Sequence, residues 1–339
     1  LTLALQEQTQ AAIARDDLRG EDLEVRQAAL RALAKHAGTV VVMDPTTGRI
    51  YSIVNQEWAL RKGVIPCSTI KPFVALAGLK ENLITPSFQP ATGQSPLSLG
   101  LIDALSRSDN TYFQRIGDGL GLYKLRRYVT EFGLGQQTGI NLPGEIPGRI
   151  PDADSVSKSH ITYAASHGKG FEVTPLQLAV FTGALANRGS MYQPQVVSNE
   201  FKNQPAGYGE GSGGGNLDRN LSAEPLTPIL QRQIDISDIE RINIIAGMIG
   251  AVEFGTARLC YDPTIQVAGK TGTCTGDNGL RVGLFESFAN VERPTLVVVV
   301  ITEGVHERGP LAAEIAGRIY QQLADRFHLR STSLTSSSK

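Results

Sequence analysis

The sequence predicts an α+β fold: a largely antiparallel sheet built from strands at both chain ends, helices on its faces and a mostly helical middle. Three observations carry this. β-rich runs cluster at residues 39–54 and again at 265–302, helical patterns fill the interval between, and the two kinds of segment are segregated. Strict alternation would have pointed to a doubly wound parallel sheet instead.

Residues 1–36 carry a helical pattern, broken near Gly20 and stopped by Gly38. Residues 39–44 and 49–54 flank the turn sequence D-P-T-T-G, which predicts a hairpin. A helix is expected from Ser68 to about Asn82, followed by a Pro/Ser/Gln-rich loop through Gln94. Residues 97–134 read as short helices punctuated by Gly117, Gly119, Gly121 and Gly133, and residues 139–151 as a Pro/Gly-rich loop. Thr174-Pro175 opens a helix that stops near Gly189. The Gly-rich stretch 201–220 reads as a mobile loop, and it fails as a phosphate cradle because no Lys-Ser/Thr follows it. Residues 237–254 begin S-D-I-E, a capping box. Strands at 265–275, 281–289 and 295–302 and a helix at 314–327 close the fold. The expected division is one domain over 1–330, with a sheet part from about 1–66 and 255–330, a helical part over 67–254, and a disordered tail at 331–339.

The 339 residues are 41% hydrophobic and 19% charged, with a net charge of −1, which allows a large core. That balance, with no long basic run, argues against nucleic acid as a partner. No run of about 18 apolar residues is present to span a membrane. The chain opens on Leu1 and is read as a fragment or processed form. The five histidines are scattered, so no metal is expected. Of the cysteines Cys67, Cys260 and Cys274, the last two could pair in an oxidising compartment, and free buried thiols fit equally well.

The chemistry gathers around P-C-S-T-I-K-P-F. Ser68 and Lys71 stand three apart, so on a helix the hydroxyl and the amine share a face. A desolvated lysine can take the proton that makes serine a nucleophile. Ser-x-x-Lys also occurs at Ser155/Lys158, Ser166/Lys169 and Ser336/Lys339, so the pair alone is weak. Its company promotes it: Ser108-Asp109-Asn110 lies between helical segments, and Lys270-Thr271-Gly272-Thr273 lies in a β-rich run. Ser-x-x-Lys, Ser-Asp-Asn and Lys-Thr-Gly in this order mark penicillin-recognising acyl-serine enzymes.

The chain resembles the transpeptidase domain of a penicillin-binding protein over nearly its whole length. The blocks F-G-L-G-Q-Q-T-G-I-N-L-P-G-E, G-K-G-F-E-V-T-P-L-Q-L-A, G-T-A-R and V-A-G-K-T-G-T carry the likeness and separate it from class A β-lactamases. The resemblance implies a DD-peptidase/β-lactamase-like fold and a serine-type D-Ala-D-Ala transpeptidase without a cofactor. Peptidoglycan stem peptides and β-lactams would acylate Ser68, with Lys71 as base. Ser108 would relay a proton to the leaving amine, and Asn110 would orient the substrate amide and Lys71. Lys270, Thr271, Gly272 and Thr273 would hold the substrate carboxylate, and the N–H groups of Ser68 and Thr273 would form the oxyanion hole. Asp109 is read as a helix cap. The implied setting is extracytoplasmic, in a parent protein with a membrane anchor and cell-wall assembly partners. A DD-carboxypeptidase, a β-lactamase and a β-lactam sensor are the competing readings. The class A β-lactamase Glu-x-x-x-Asn segment is missing, since neither Glu145 nor Glu172 has Asn four residues on. The chain departs from the family at Cys67, where relatives usually carry Gly, at Cys274, and at His167, which is read as a loop residue.

Overall fold

The computed structural model describes residues 2–85, 100–151, 158–196, 226–276 and 278–330. The chain enters through α1 (Thr2–Ile13) and α2 (Leu23–Leu33), the latter capped by Asp22, whose carboxylate accepts from Val25 N–H. The hairpin β1 (Gly38–Met43) and β2 (Arg49–Val54) turns at Asp44, which accepts from Thr46 N–H and Gly48 N–H. After α3 (Gln56–Arg61), a 3-10 turn at Cys67–Ile70 leads into α4 (Lys71–Lys80). The middle of the chain supplies α5 (Leu101–Arg107), α6 (Asn110–Glu131), α7 (Lys158–His167), α8 (Pro175–Ala186), the short strands β3 (Ser190–Tyr192), β4 (Gln195–Val196) and β5 (Leu230–Gln233), and α9 (Asp238–Glu253). The end is a meander, β6 (Val267–Thr275), β7 (Arg281–Ala289) and β8 (Leu296–Gly304), closed by α10 (Gly309–Leu323).

Six strands form one sheet in the order β4-β2-β1-β8-β7-β6, antiparallel except for the β2–β4 pair. β1 lies against β8, so the two ends of the chain close the sheet together, as the sequence predicts. Alternate side chains feed two cores. Val40, Val42, Phe285, Val298 and Val300 pack with α2 and α10, while Val41, Leu284, Phe288, Val297 and Val299 pack with α4 and α8. Cover on both faces explains why the β8 sequence L-V-V-V-V-I is apolar without alternation. α4 is buried at every position but its last, the pattern of a helix enclosed on all sides.

The expected short helices of 97–134 are α5 and an α6 that consists of two helical segments joined by a kink at Gly121, while Gly117 and Gly119 serve packing and not chain reversal. A Cβ at Gly117 would sit 2.5 Å from the Ala165 Cβ of α7, and one at Gly119 would sit 3.0 Å from Leu83. Only Gly121, at φ +66°, bends the element. The closing helix starts at Gly309-Pro310, five residues ahead of expectation, with proline in its first turn. The elements α3, α7, β3, β4 and β5 carry patterns too short or too polar to register in the sequence. The loop through Gln94, the Gly-rich stretch 201–220, Ser155 and the tail beyond Arg330 lie outside the described residues. The close α6–α7 contact yields an expected outcome: Gly117→Ala forces the two helices apart and lowers unfolding free energy by about 1–3 kcal/mol, measured by urea denaturation.

Candidate active site

Ser68 sits in the 3-10 turn that α4 continues, and Lys71, one turn later, is the first residue of α4. Lys71 is fully buried, with its amine 5.4 Å from the Phe113 ring centroid. It donates to Ser108 O at 2.7 Å, Ser108 Oγ at 3.0 Å and Asn110 Oδ1 at 2.7 Å. Burial pulls the Lys71 amine down to about 7, against the opposing pull of the Asp109 carboxylate. Near neutral pH the group is therefore divided between base and acid. The amine contacts the second motif, and among the described residues no hydrogen bond joins it to Ser68 Oγ.

The second motif is positioned by a backbone reversal. α5 ends at Ser108 in the left-handed region, φ +57°, and Asp109 caps α6 by accepting from Tyr112 N–H at 2.6 Å. This is the capping role expected of Asp109. It sets Asn110 at the head of α6, facing Lys71. Lys270, fully buried on β6, also donates to Ser108 Oγ, at 2.9 Å, and to Thr271 O at 2.8 Å. Burial and the Lys71 charge push the Lys270 amine well below its ordinary range, and the Glu286 carboxyl pulls it back up. One hydroxyl thus receives both lysine amines.

β6 ends the sheet, so its outer edge is open to a ligand backbone. Gly272 lets that edge approach the turn that carries Ser68, since a Cβ there would stand 3.0 Å from Pro66 O. Thr273 Oγ1 accepts from Gly309 N–H at 2.8 Å, which leaves its own proton free for an anion. Thr271 is only 4% exposed and its hydroxyl donates to Thr256 Oγ1 at 2.6 Å, so it is less available to a carboxylate than Thr273. Thr256, in G-T-A-R, was given no role from the sequence. Its N–H bonds Ser106 O at 3.2 Å while its hydroxyl meets Thr271, so it fastens the second motif to the third. Gly255 permits this, because a Cβ there would lie 2.2 Å from Ser106 O.

His167 proves to be the last residue of α7 and not a loop residue. It shares a 2.7 Å hydrogen bond with Ser166, and burial together with the Lys71 charge lowers its affinity for a proton. The following Gly168, at φ +67°, packs on the turn that carries Ser68, where a Cβ would meet Pro66 at 2.5 Å. Glu145 and Glu172 are engaged elsewhere: Glu145 accepts from Thr138 N–H and Gly139 N–H, and Glu172 pairs with Arg149 at 2.5 Å.

The cysteines follow neither sequence reading in full, being neither paired as Cys260–Cys274 nor all free. Cys274 is joined to Cys67, 207 residues away, and Cys260 is the buried free thiol, its proton held tightly by its apolar surroundings. Cys67 occupies φ +50°, a conformation suited to glycine, and the bridge fixes it to β6 at the residue that follows the third motif. A cross-link closing so long a loop restricts the unfolded chain. Replacing both cysteines by serine is expected to reduce unfolding free energy by about 2–4 kcal/mol, read from paired denaturation curves.

Comparison with known proteins gives the family of the chain. The family described as penicillin binding protein transpeptidase domain matches residues 38–321. The peptidoglycan D,D-transpeptidase MrdA of Acinetobacter baumannii is 26% identical over 385 residues, covering 90% of this chain and 54% of that protein. Penicillin-binding protein 2B of Streptococcus pneumoniae is 26% identical, covering 83% of this chain and 48% of its own length. The chain thus spans about half the length of the curated relatives it matches. Pseudomonas aeruginosa PBP2, solved with WCK 5153, superposes with a TM-score of 0.74 at 24% identity, over 95% of this chain and 78% of that one. The transpeptidase domain of Burkholderia pseudomallei penicillin-binding protein 3 gives 0.74 at 19% identity, over 93% and 97%. By its matched length, its fold and the order of its three motifs, the chain belongs to the penicillin-binding protein transpeptidase domain family.

Proposed function

We propose that this domain is a serine-type peptidoglycan D,D-transpeptidase. The convergence of Lys71 and Lys270 on Ser108 Oγ, one helical turn from Ser68, carries the reading. Ser68 Oγ attacks the carbonyl of the D-Ala-D-Ala bond as neutral Lys71 takes its proton. A side-chain turn of Lys71 toward Ser68 suffices, since such contacts tighten only with substrate bound. The N–H groups of Ser68 and Thr273 stabilise the oxyanion, each donor worth about 3 kcal/mol. The C–N bond breaks, and the proton passes through Ser108 to the leaving D-Ala amine. Lys270 and Thr273 hold the terminal carboxylate. A second stem peptide's amine then attacks the acyl-enzyme, its proton returns by the same route, and Ser68 is released.

The β-lactamase reading requires a second base to activate water. Glu145 and Glu172, the two weighed from the sequence for that role, are committed to backbone and arginine partners. The Cys67–Cys274 bridge suits an oxidising, extracytoplasmic setting. Among the described residues no helix is long and apolar enough to cross a membrane. The chain spans about half the length of its curated relatives, which supports a longer parent protein that carries the anchor and the assembly contacts. We also propose the division into a sheet part and a helical part with the cleft at their seam. It is supported by Lys270 coming from β6 while Lys71, Ser108 and Asn110 come from helices and their junctions.

Intact mass after brief exposure to benzylpenicillin tests the assignment. A long-lived adduct is expected on the native chain and none on Ser68→Ala, whereas rapid adduct loss with drug turnover would make the site hydrolytic. The acylation rate is expected to fall about tenfold for each pH unit below about 7. The sign follows from Lys71: protonation below that value removes the base, and raising the pH restores it.

A further inference from the structure

β7 carries an anomaly. Its sequence R-V-G-L-F-E-S-F-A is buried from Val282 onward, and Glu286 stands in the middle of it, fully buried. Oε2 is 3.4 Å from the Thr182 hydroxyl of α8, and Oε1 has no hydrogen-bond partner among the described residues. A carboxyl group left so poorly matched costs far more than an apolar side chain of its size, so it calls for a compensating role.

The register supplies that role. Glu286 is the antiparallel partner of Lys270, so the two side chains rise from the same face, with Cβ atoms about 5 Å apart. That face is also the one on which Lys270 meets Ser108 and Glu286 meets Thr182. Both lysine amines of the site donate to a single hydroxyl in a buried setting, so their charges repel each other. The surroundings offer few countercharges. Asp109 acts on Lys71, and His167 at the end of α7 contributes no negative charge. α8 has no ionisable side chain, and the β8 partner of Glu286 is Val299. On α9, Arg241 reaches the carbonyls of Leu185 and Ala186, the Glu240 carboxylate accepts from the Ser237 N–H and hydroxyl, Asp238 pairs with Arg188, and Glu253 is exposed.

We propose that Glu286 is a positioning residue of this site: its carboxylate is the buried anion that keeps Lys270 an ammonium ion. Lys71 is then the amine that yields its proton and serves as base, while Lys270 stays charged for the substrate carboxylate. Glu286 touches no reacting atom and acts only through Lys270. Burial raises the Glu286 carboxyl and lowers the Lys270 amine, each well beyond its ordinary range, and the charge of each opposes that shift in the other. The inference rests on the transpeptidase reading above.

The test is the pH dependence of benzylpenicillin acylation, followed by mass, for the native chain, Glu286→Gln and Glu286→Asp. The native chain should give a bell, its acid limb set by Lys71 and its alkaline limb by Lys270. Glu286→Gln, of equal shape without the charge, should move the alkaline limb down by about one pH unit or more and leave the acid limb in place. On that limb labelling falls about tenfold, mainly through weaker penicillin binding. Glu286→Asp retains a charge set back by one methylene and should show a smaller shift in the same direction, and it stands as the test should Glu286→Gln fail to fold. An unmoved alkaline limb in the folded variants, even with slower labelling throughout, overturns the proposal and leaves the transpeptidase reading intact. A native chain that takes no adduct at any pH overturns both.

Discussion

Everything at the site depends on two ammonium-bearing side chains sharing one hydroxyl. Lys71 arrives from a buried helix, Lys270 from an edge strand, and Ser108 from a left-handed helix end, and each would be costly to hold alone. Burial is what gives the arrangement its use. The same loss of water that penalises the charges brings the Lys71 amine to where a base and an acid coexist near neutrality. The architecture around them, a sheet covered on both faces and a helix enclosed on all sides, excludes solvent from the amines while leaving β6 open along its edge.

The fold was legible in the sequence wherever a signal is local. The hairpin at Asp44, the capping boxes at Thr174 and Ser237 and the three C-terminal strands each reflect turn, cap or strand chemistry carried by neighbouring residues. Misreadings arose where one residue type has two uses. Gly117 and Gly119 looked like breaks because a glycine admits both chain reversal and close packing, and only the approach of Ala165 and Leu83 decides between them. Spans of two to four residues such as β4 and β5 are strands by virtue of their neighbours and have too few residues to show a period.

For the site, the three motifs named the lysines and Ser108, and the structure brings these together. Thr256 and Glu286 escaped because their importance lies in pairings across the fold. Glu286 did leave a trace, a lone carboxylate inside the apolar run L-F-E-S-F. The cysteine pairing was beyond local reading, since Cys260 stands nearer to Cys274 in sequence while Cys67 stands nearer in space. The φ of +50° at Cys67 gives a physical reason for the glycine expected there, and the bridge shows what this chain uses the side chain for.

The order of the sheet has a consequence for how the protein comes into being. Ser68 belongs to the first quarter of these 339 residues, whereas β8, which receives β1, and β6, which carries Lys270 and Cys274, belong to the last. During synthesis Ser68 therefore exists long before the strand it works against. A growing chain that has completed its helical middle still lacks the centre of its sheet, with the β1–β2 hairpin waiting for a partner. Contacts of such long sequence separation make folding slow and late. On the proposed mechanism, reactivity waits for β6 and β8, so a product truncated before them would carry Ser68 without Lys270.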